Sequence, residues 1–408
     1  MNILFLTLLN FESLNESNIY TDLLSEFVDN GHQVFVISPY ERRFNKTTKL
    51  IKGNNYQILK KKIGNIQKTN LIEKGITTLL IDFYFLSAFK KFYKEINFEL
   101  IIYSTPPINF IRTISYVKKK YGAMAYLLLK DIFPQNAVDL GLLNKHGITS
   151  ILYSYFRKKE KLLYTLSDFI GCMSEGNKNY LLQHNPFLKK EKVEINRNSI
   201  KLRQILTNTN KDAILKKYNI EKGNTIYIYG GNLGRPQGID FLCKCIYETE
   251  KLQNVMNLIV GNGTEFEKTK KFISTNNIKK TKLISFLPKN EFEELLSVSD
   301  VGLIFLDNRF TIPNYPSRLL SYLQASLPII MSSDSNTDLK DHIIDWGIGL
   351  WNQSGDIKKF IENYKYLSIA DNRKIMRENS YRTLTEYFDV KSSYNTIINH
   401  INKKGDNN

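Results

Sequence analysis

The chain has 408 residues, with 57 Lys and Arg against 40 Asp and Glu, and a formal net charge of +17. That length exceeds one ordinary core and suits two domains with room for a buried site, and the charge calls for anionic partners: nucleic acid, anionic lipid and sugar nucleotides all qualify. Three cysteines, Cys172, Cys243 and Cys245, are too few and too badly spaced for a disulfide framework or a zinc site, and no apolar run reaches the roughly 18 residues of a membrane-spanning helix.

The first nine residues lack a basic segment and a small-residue cleavage site, so they read as a buried parallel strand rather than a signal peptide. A reducing cytosol is the expected compartment. Strands are predicted at 3–8, 34–37, 100–103, 125–129 and 169–173, and between the first two a helix at 19–29 aligns Ile19, Leu23, Leu24, Phe27 and Val28 on one face before Asn30 and Gly31. Strands alternating with helical patterns predict parallel sheets with crossover helices. A second set of strands is expected at 225–229, 257–260, 282–286, 301–305 and 328–331. The polar stretch 200–224 is the expected linker, dividing a first domain, 1–200, from a second, 201–379. A helical, aromatic segment at about 380–400 is expected to return to the first domain. The fold class is α/β, with two Rossmann-like domains facing across a cleft.

The run from Tyr229 to Gly238 reads as strand, glycine turn and helix. Gly230, Gly231 and Gly234 let backbone N–H groups approach an anion closely, and Pro236 suits a first helical position. A tight turn with no ligand is the plain alternative. Downstream, Gly261, Gly263, Thr264 and Glu265 follow one strand, and Leu287 follows another. In open α/β sheets, ligands bind beyond the carboxyl ends of the strands, so these loops gather at one edge. An irregular loop then runs through Pro316 into a helix beginning near Ser317 and Arg318. Two helix starts with Arg235 and Arg318 suit a pyrophosphate, the alternative for each arginine being a solvated surface cation. In the first set, Asp131 follows a strand beside Lys130, which would help keep it ionised, and a capping aspartate is the alternative. The five histidines have no spacing for a metal or a triad.

The order Gly-Gly-Asn-Leu-Gly with Gln-Gly, then Val-Gly-x-Gly, then Pro-Ser-Arg-Leu-Leu-Ser-Tyr-Leu before Leu-Pro-Ile-Ile resembles the retaining GT-B glycosyltransferases of family 4 (group 1). The residues 19–24, 104–107 and 129–138 also resemble the bacterial O-antigen and capsule branch of the L-fucosamine transferase type, so the likeness covers nearly the whole chain. The resemblance implies transfer of a sugar, an N-acetylated amino sugar, from a uridine-diphosphate donor to a lipid-linked or oligosaccharide acceptor, with neither cofactor nor metal. It implies donor contacts from the glycines above, from Asn232 and Gln237, where the family usually has Arg and Lys, and from Pro316, Ser317 and Ser321. The two glutamates of the family's E-x7-E motif fall on Pro313 and Ser321, and its usual histidine on Lys130. Asp131, Arg235 and Arg318 are the expected catalytic residues. Two other readings stand beside this one: a GT-B-shaped sugar-nucleotide epimerase, for which histidine is scarce, and a non-catalytic nucleotide- or nucleic-acid-binding protein, for which no recognition motif is present.

Aromatic residues flanked by lysines recur at 79–94, 116–121 and 155–159. Aromatic anchors beside cations suit an anionic membrane surface, so peripheral docking of the first domain on the inner membrane face is expected, with solvated helix faces as the alternative. No nucleic-acid partner is expected.

Overall fold

The computed structural model describes residues 1–67, 69–147, 149–203 and 210–405, so residues 204–209 of the expected linker lie outside the described residues. The strands in chain order are β1 (Asn2–Leu6), β2 (Gln33–Glu41), β3 (Lys49–Gly53), β4 (Tyr56–Ile63), β5 (Leu100–Ser104), β6 (Met124–Leu129), β7 (Phe169–Cys172), β8 (Val193–Ile195), β9 (Thr225–Gly230), β10 (Val255–Val260), β11 (Thr281–Ile284), β12 (Val301–Phe305), β13 (Ile329–Ser333) and β14 (Gly349–Gln353). The first eight form one sheet in the order β3-β4-β2-β1-β5-β6-β7-β8, and the last six form another, β11-β10-β9-β12-β13-β14. Every pair is parallel except β3 with β4. These are the two α/β Rossmann-like sheets expected.

The chain divides into one unit of Met1–Lys201 with Asp389–Asn408 and another of Leu202–Phe388. The expected helix at about 380–400 is in fact two helices, Lys374–Tyr387 and Val390–Gly405. The first stays with the second unit: Ser380 Oγ donates to Leu327 O at 3.1 Å, and Leu384 is buried. The chain changes unit at Asp389, where Val390 N donates to Ile200 O at 3.0 Å, and Val390 and Ile397 enter the first core beside Leu23, Leu24 and Phe27.

Local signals explain these elements. The helix Ile19–Asp29 starts at Asn18, whose side chain takes the amides of Tyr20 and Thr21 while Thr21 returns a bond to the Asn18 backbone, and its apolar face is buried on the sheet. Central strands such as β6 and β10 are buried along their whole length, the pattern of strands covered on both faces. Among the described residues no helix is long and apolar enough to cross a membrane.

Candidate functional site

The loops after β9 and β10 interlock through their glycines. Gly231 has φ +133 and Gly261 φ +154, and a Cβ on Gly261 would stand 1.7 Å from Gly231 O. A Cβ on Gly263 would stand 2.3 Å from Leu233 O, and one on Gly230 2.2 Å from the Phe292 ring. Gly261 and Gly263 need glycine because the backbones touch there, and Gly230 because the Phe292 ring lies against it. The contact consumes amides that were expected to face a ligand. Gly230 N donates to Tyr322 Oη, Gly231 N to Val260 O, Leu233 N to Asn262 O, Gly261 N to Ile284 O, Gly263 N to Asn262 Oδ1 and Glu265 N to Leu233 O. Among the described residues the amides of Asn232 and Gly234 keep no such partner. The phosphate cradle expected from three glycines therefore narrows to two amides, since the other N–H groups are spent on Tyr322, on neighbouring strands and on bonds within and between the two loops.

Pro236 does not open the α-helix as expected. It lies in a 3-10 turn, Arg235–Gln237, and Gly238 at φ +55 precedes the helix Ile239–Thr249. Asp307 N donates to Pro236 O at 3.0 Å, and a Cβ on Gly238 would come 3.0 Å from Leu306 O, so the loop after β12 holds the turn from below.

Arg318 stands over the glycine turn. Its Nη2 donates to Gln237 Oε1 at 2.5 Å, its guanidinium carbon lies 4.5 Å from the Tyr229 ring centre, and a Cβ on Gly231 would meet Nη2 at 3.4 Å. Its Nη1 is buried with no hydrogen-bond partner, and among the described residues no carboxylate pairs with it. A partly buried cation without a counterion, beside two free amides, is complementary to an anionic ligand.

Arg235 is not part of that arrangement. Its side chain is 59% exposed, and its Nε lies 3.9 Å from Glu265 Oε1. It borders a separate cavity of about 460 Å³ shared with Lys244, Lys268 and Arg309, on the side of the helix Ile239–Thr249. Arg318 instead belongs to the helix Arg318–Gln324, whose Tyr322 supports Gly230. Of the two arginines expected to face one diphosphate, Arg318 thus lies over the glycine turn while Arg235 leans toward Glu265.

The remaining residues expected to contact a donor lie along this edge. Thr264 and Ser317 are exposed, and Leu287, Pro316 and Ser321 are partly buried. Three contributors went unread in the sequence. Tyr229 donates to Asn232 O at 2.7 Å, and Tyr322, one helical turn beyond Arg318, takes the Gly230 amide and donates to Leu303 O at 3.0 Å. Asp334, after β13, accepts the amides of Asn336 and Thr337, and these residues hold Phe310 O and Asn314 O in the loop leading to Arg318. The four-residue spacing of Arg318 and Tyr322 was the only available signal.

In the first unit Asp131 follows β6. Thr105 Oγ1 donates to its carbonyl at 2.9 Å, and Asn136 Nδ2 donates to its Oδ2 at 2.5 Å. Burial pushes the Asp131 carboxyl up to about 6, against the pull of hydrogen bonds from the Ile132 backbone and Asn136. Lys130 does not pair with it as expected. The Lys130 ammonium donates to Asn196 O at 3.3 Å, and burial lowers it to about 7. Among the described residues no group of three His, Cys, Asp or Glu could hold a metal ion.

Two Rossmann-like parallel sheets in one chain, the second with a cation over a glycine turn at its carboxyl edge, define an α/β protein of the GT-B class. Residues 210–383 match the family model of the glycosyl transferases group 1. They form a group 1 glycosyltransferase domain, and the chain is a glycosyltransferase. A relative is the probable glycosyltransferase WbjE of Pseudomonas aeruginosa, 23% identical over 70% of this chain and 69% of its own length. Among solved structures, sucrose-phosphate synthase from Thermosynechococcus elongatus superposes with a TM-score of 0.78 at 12% identity, covering 100% of both chains. Anabaena Alr3699/HepE, solved in complex with UDP and glucose, gives 0.69 at 10% identity, covering 99% of this chain and 100% of its own.

Proposed function

We propose that this enzyme is a retaining glycosyltransferase that moves an N-acetylated amino sugar from a UDP-linked donor to a lipid-linked or oligosaccharide acceptor in bacterial surface-polysaccharide synthesis. The observation that carries the reading is the uncompensated Arg318 guanidinium above Gly231. Breaking a nucleotide-sugar bond leaves a diphosphate, and a preorganised guanidinium with the Asn232 and Gly234 amides stabilises that developing charge without a divalent ion. The UDP complex of HepE, a protein of the same fold, supports the choice of nucleotide. Ser321 offers a hydroxyl to the nucleotide ribose. In this reading the new bond forms on the face from which the nucleotide leaves, the departing phosphate takes the acceptor proton, and Asp131 orients the acceptor hydroxyl. Cytoplasmic work on a lipid-linked acceptor agrees with exposed Leu79, Phe83, Phe92, Ile151 and Tyr155 in the lysine-rich helices of the first unit, which would lie on an anionic membrane face.

The test is a thermal-shift panel of nucleoside diphosphates, followed by assay of slow UDP-sugar hydrolysis. UDP should raise Tm more than the other nucleotides, by mass action on the folded state. No shift with any nucleoside diphosphate, and no hydrolysis, would sink the proposal.

A further inference from the structure

The cavity of about 460 Å³ beside Arg235 is walled by the start of the helix Ile239–Thr249, the loop after β12 and the residues after β14, and neither Gly231 nor Arg318 borders it. Its size suits a small molecule, whose sites run from roughly 300 to 1,000 Å³. Three carboxylates line it, and each already has a cation. Asp240 meets Lys268 at 2.5 Å, Glu265 meets Lys268 at 3.5 Å and Arg235 at 3.9 Å, and Asp307 takes Arg309 Nε and Nη2, both at 2.8 Å.

Hydrogen-bond donors remain on the same wall. Among the described residues Lys244 has no partner, and Arg309 Nη1 has none. Ser354 points the same way from inside the fold. It is only 6% exposed, and its amide donates to Ser333 O at 2.7 Å, yet its hydroxyl has no partner among the described residues, although buried polar groups are as a rule hydrogen-bonded. The amides of Ile239 and Asp240, at the positive end of an 11-residue helix, are likewise without a partner there.

We infer that this cavity binds the phosphate group of a small phosphorylated molecule, at a site separate from the glycine turn under Arg318. The chemistry of the wall selects the ligand. Its unengaged groups are an ammonium, a guanidinium N–H, a hydroxyl and two amides, all able to donate, while its carboxylates are neutralised by neighbouring cations. A phosphate monoester brings three strong acceptor oxygens and a charge of about −1.5 to −2 at neutral pH, which matches that set better than a neutral sugar does. The buried side chains of Ile239 and Phe241 add an apolar strip for the organic part. This inference does not depend on the identity of the donor or acceptor proposed above.

The experiment is calorimetric titration of the full chain with glucose 6-phosphate, inorganic phosphate and glucose. The sugar phosphate should bind and glucose should not; inorganic phosphate binding as tightly as the sugar phosphate would assign the same site to free phosphate. Lys244→Glu should weaken phosphate binding about tenfold and Ser354→Ala about threefold, the scale of a lost charged and a lost neutral hydrogen bond. Arg318→Ala should leave it unchanged. Lys244 is exposed and unpaired among the described residues, so its variant carries the test if Ser354→Ala does not fold. Absence of binding by both phosphate compounds would overturn the site, as would full affinity in Lys244→Glu or a loss of affinity in Arg318→Ala, which would place the phosphate at the glycine turn.

Discussion

The guanidinium of Arg318 lies 4.5 Å over the ring of Tyr229, so a residue at the start of one helix covers the last turn of a central strand. The ring holds the cation in place while Nη1 is buried without a hydrogen-bond partner. Arg318→Ala should abolish the UDP thermal shift and reduce turnover about a hundredfold, the scale of one lost oxyanion donor. Arg318→Lys should recover only part of it, since an ammonium cannot hold Gln237 and a phosphate with one planar fork. An unchanged UDP shift in the alanine variant would remove this residue from the site.

Gly261→Ala probes the interlocked loops. The added Cβ would fall 1.7 Å from a backbone oxygen at a φ of +154, so the two loops must separate. Urea denaturation should show a loss of about 2 kcal/mol or more, and UDP affinity should fall with it. Gly31→Ala is the comparison: with φ +80 but nothing within 4 Å of its Cβ, it should cost only about 1 kcal/mol and leave UDP binding alone.

Asp131 links activity to pH. Its carboxyl is raised to about 6, so the ionised form that can orient a hydroxyl is lost as pH falls through 6. The kcat/KM profile should therefore have an acid limb near pH 6 that disappears in Asp131→Asn, with donor KM little changed. Stability runs the opposite way. A carboxyl whose folded value exceeds its ordinary value favours folding most below about 4, and that contribution is lost as pH rises through 6. Asp131→Asn should thus raise Tm at pH 8 while slowing turnover. Full activity at pH 7.5 in this variant would refute the assigned role.

Membrane docking is read by flotation with vesicles containing a third anionic lipid. The chain should float at low salt and be released as ionic strength rises, because charge attraction is screened over about 10 Å at 0.1 M salt. Phe83→Ser with Ile151→Ser should reduce flotation without changing the UDP shift. Wild-type chain that stays at the bottom of the gradient at every salt concentration would dismiss a membrane role.

Periodicity located the ten predicted strands, each of which is present with ends moved by a few residues. The four that escaped are edge or near-edge strands. β3 and β4 carry lysines at Lys49, Lys52, Lys60, Lys61 and Lys62, which mask an apolar pattern, β8 is only three residues long, and β14 has Leu350 and Trp351 as its only large apolar side chains. Lys60 illustrates the difficulty. It is fully buried, with its ammonium on Asn10, Phe11 O and Ser38, a set of partners scattered along the chain. In the site, Arg318 and the glycines were legible because their chemistry is local to a turn or a helix start. Tyr322 was not, because its partner Gly230 is distant in sequence, nor was Asp334, whose own turn is local but whose neighbours Asn336 and Thr337 reach back to Phe310 and Asn314.

What the residues alone determined was therefore local: alternating strands and helices, loops forced to be glycine, and cations placed at loop ends. Tertiary structure decided how those groups were spent. It spent the glycine amides on protein partners, turned Arg235 to Glu265, sent Lys130 to Asn196 rather than Asp131, and brought the final helix back to the first core. The physical reason is that periodicity and turn propensity act over a few residues, whereas the partner of a polar group is whichever donor or acceptor the packed sheets bring near it.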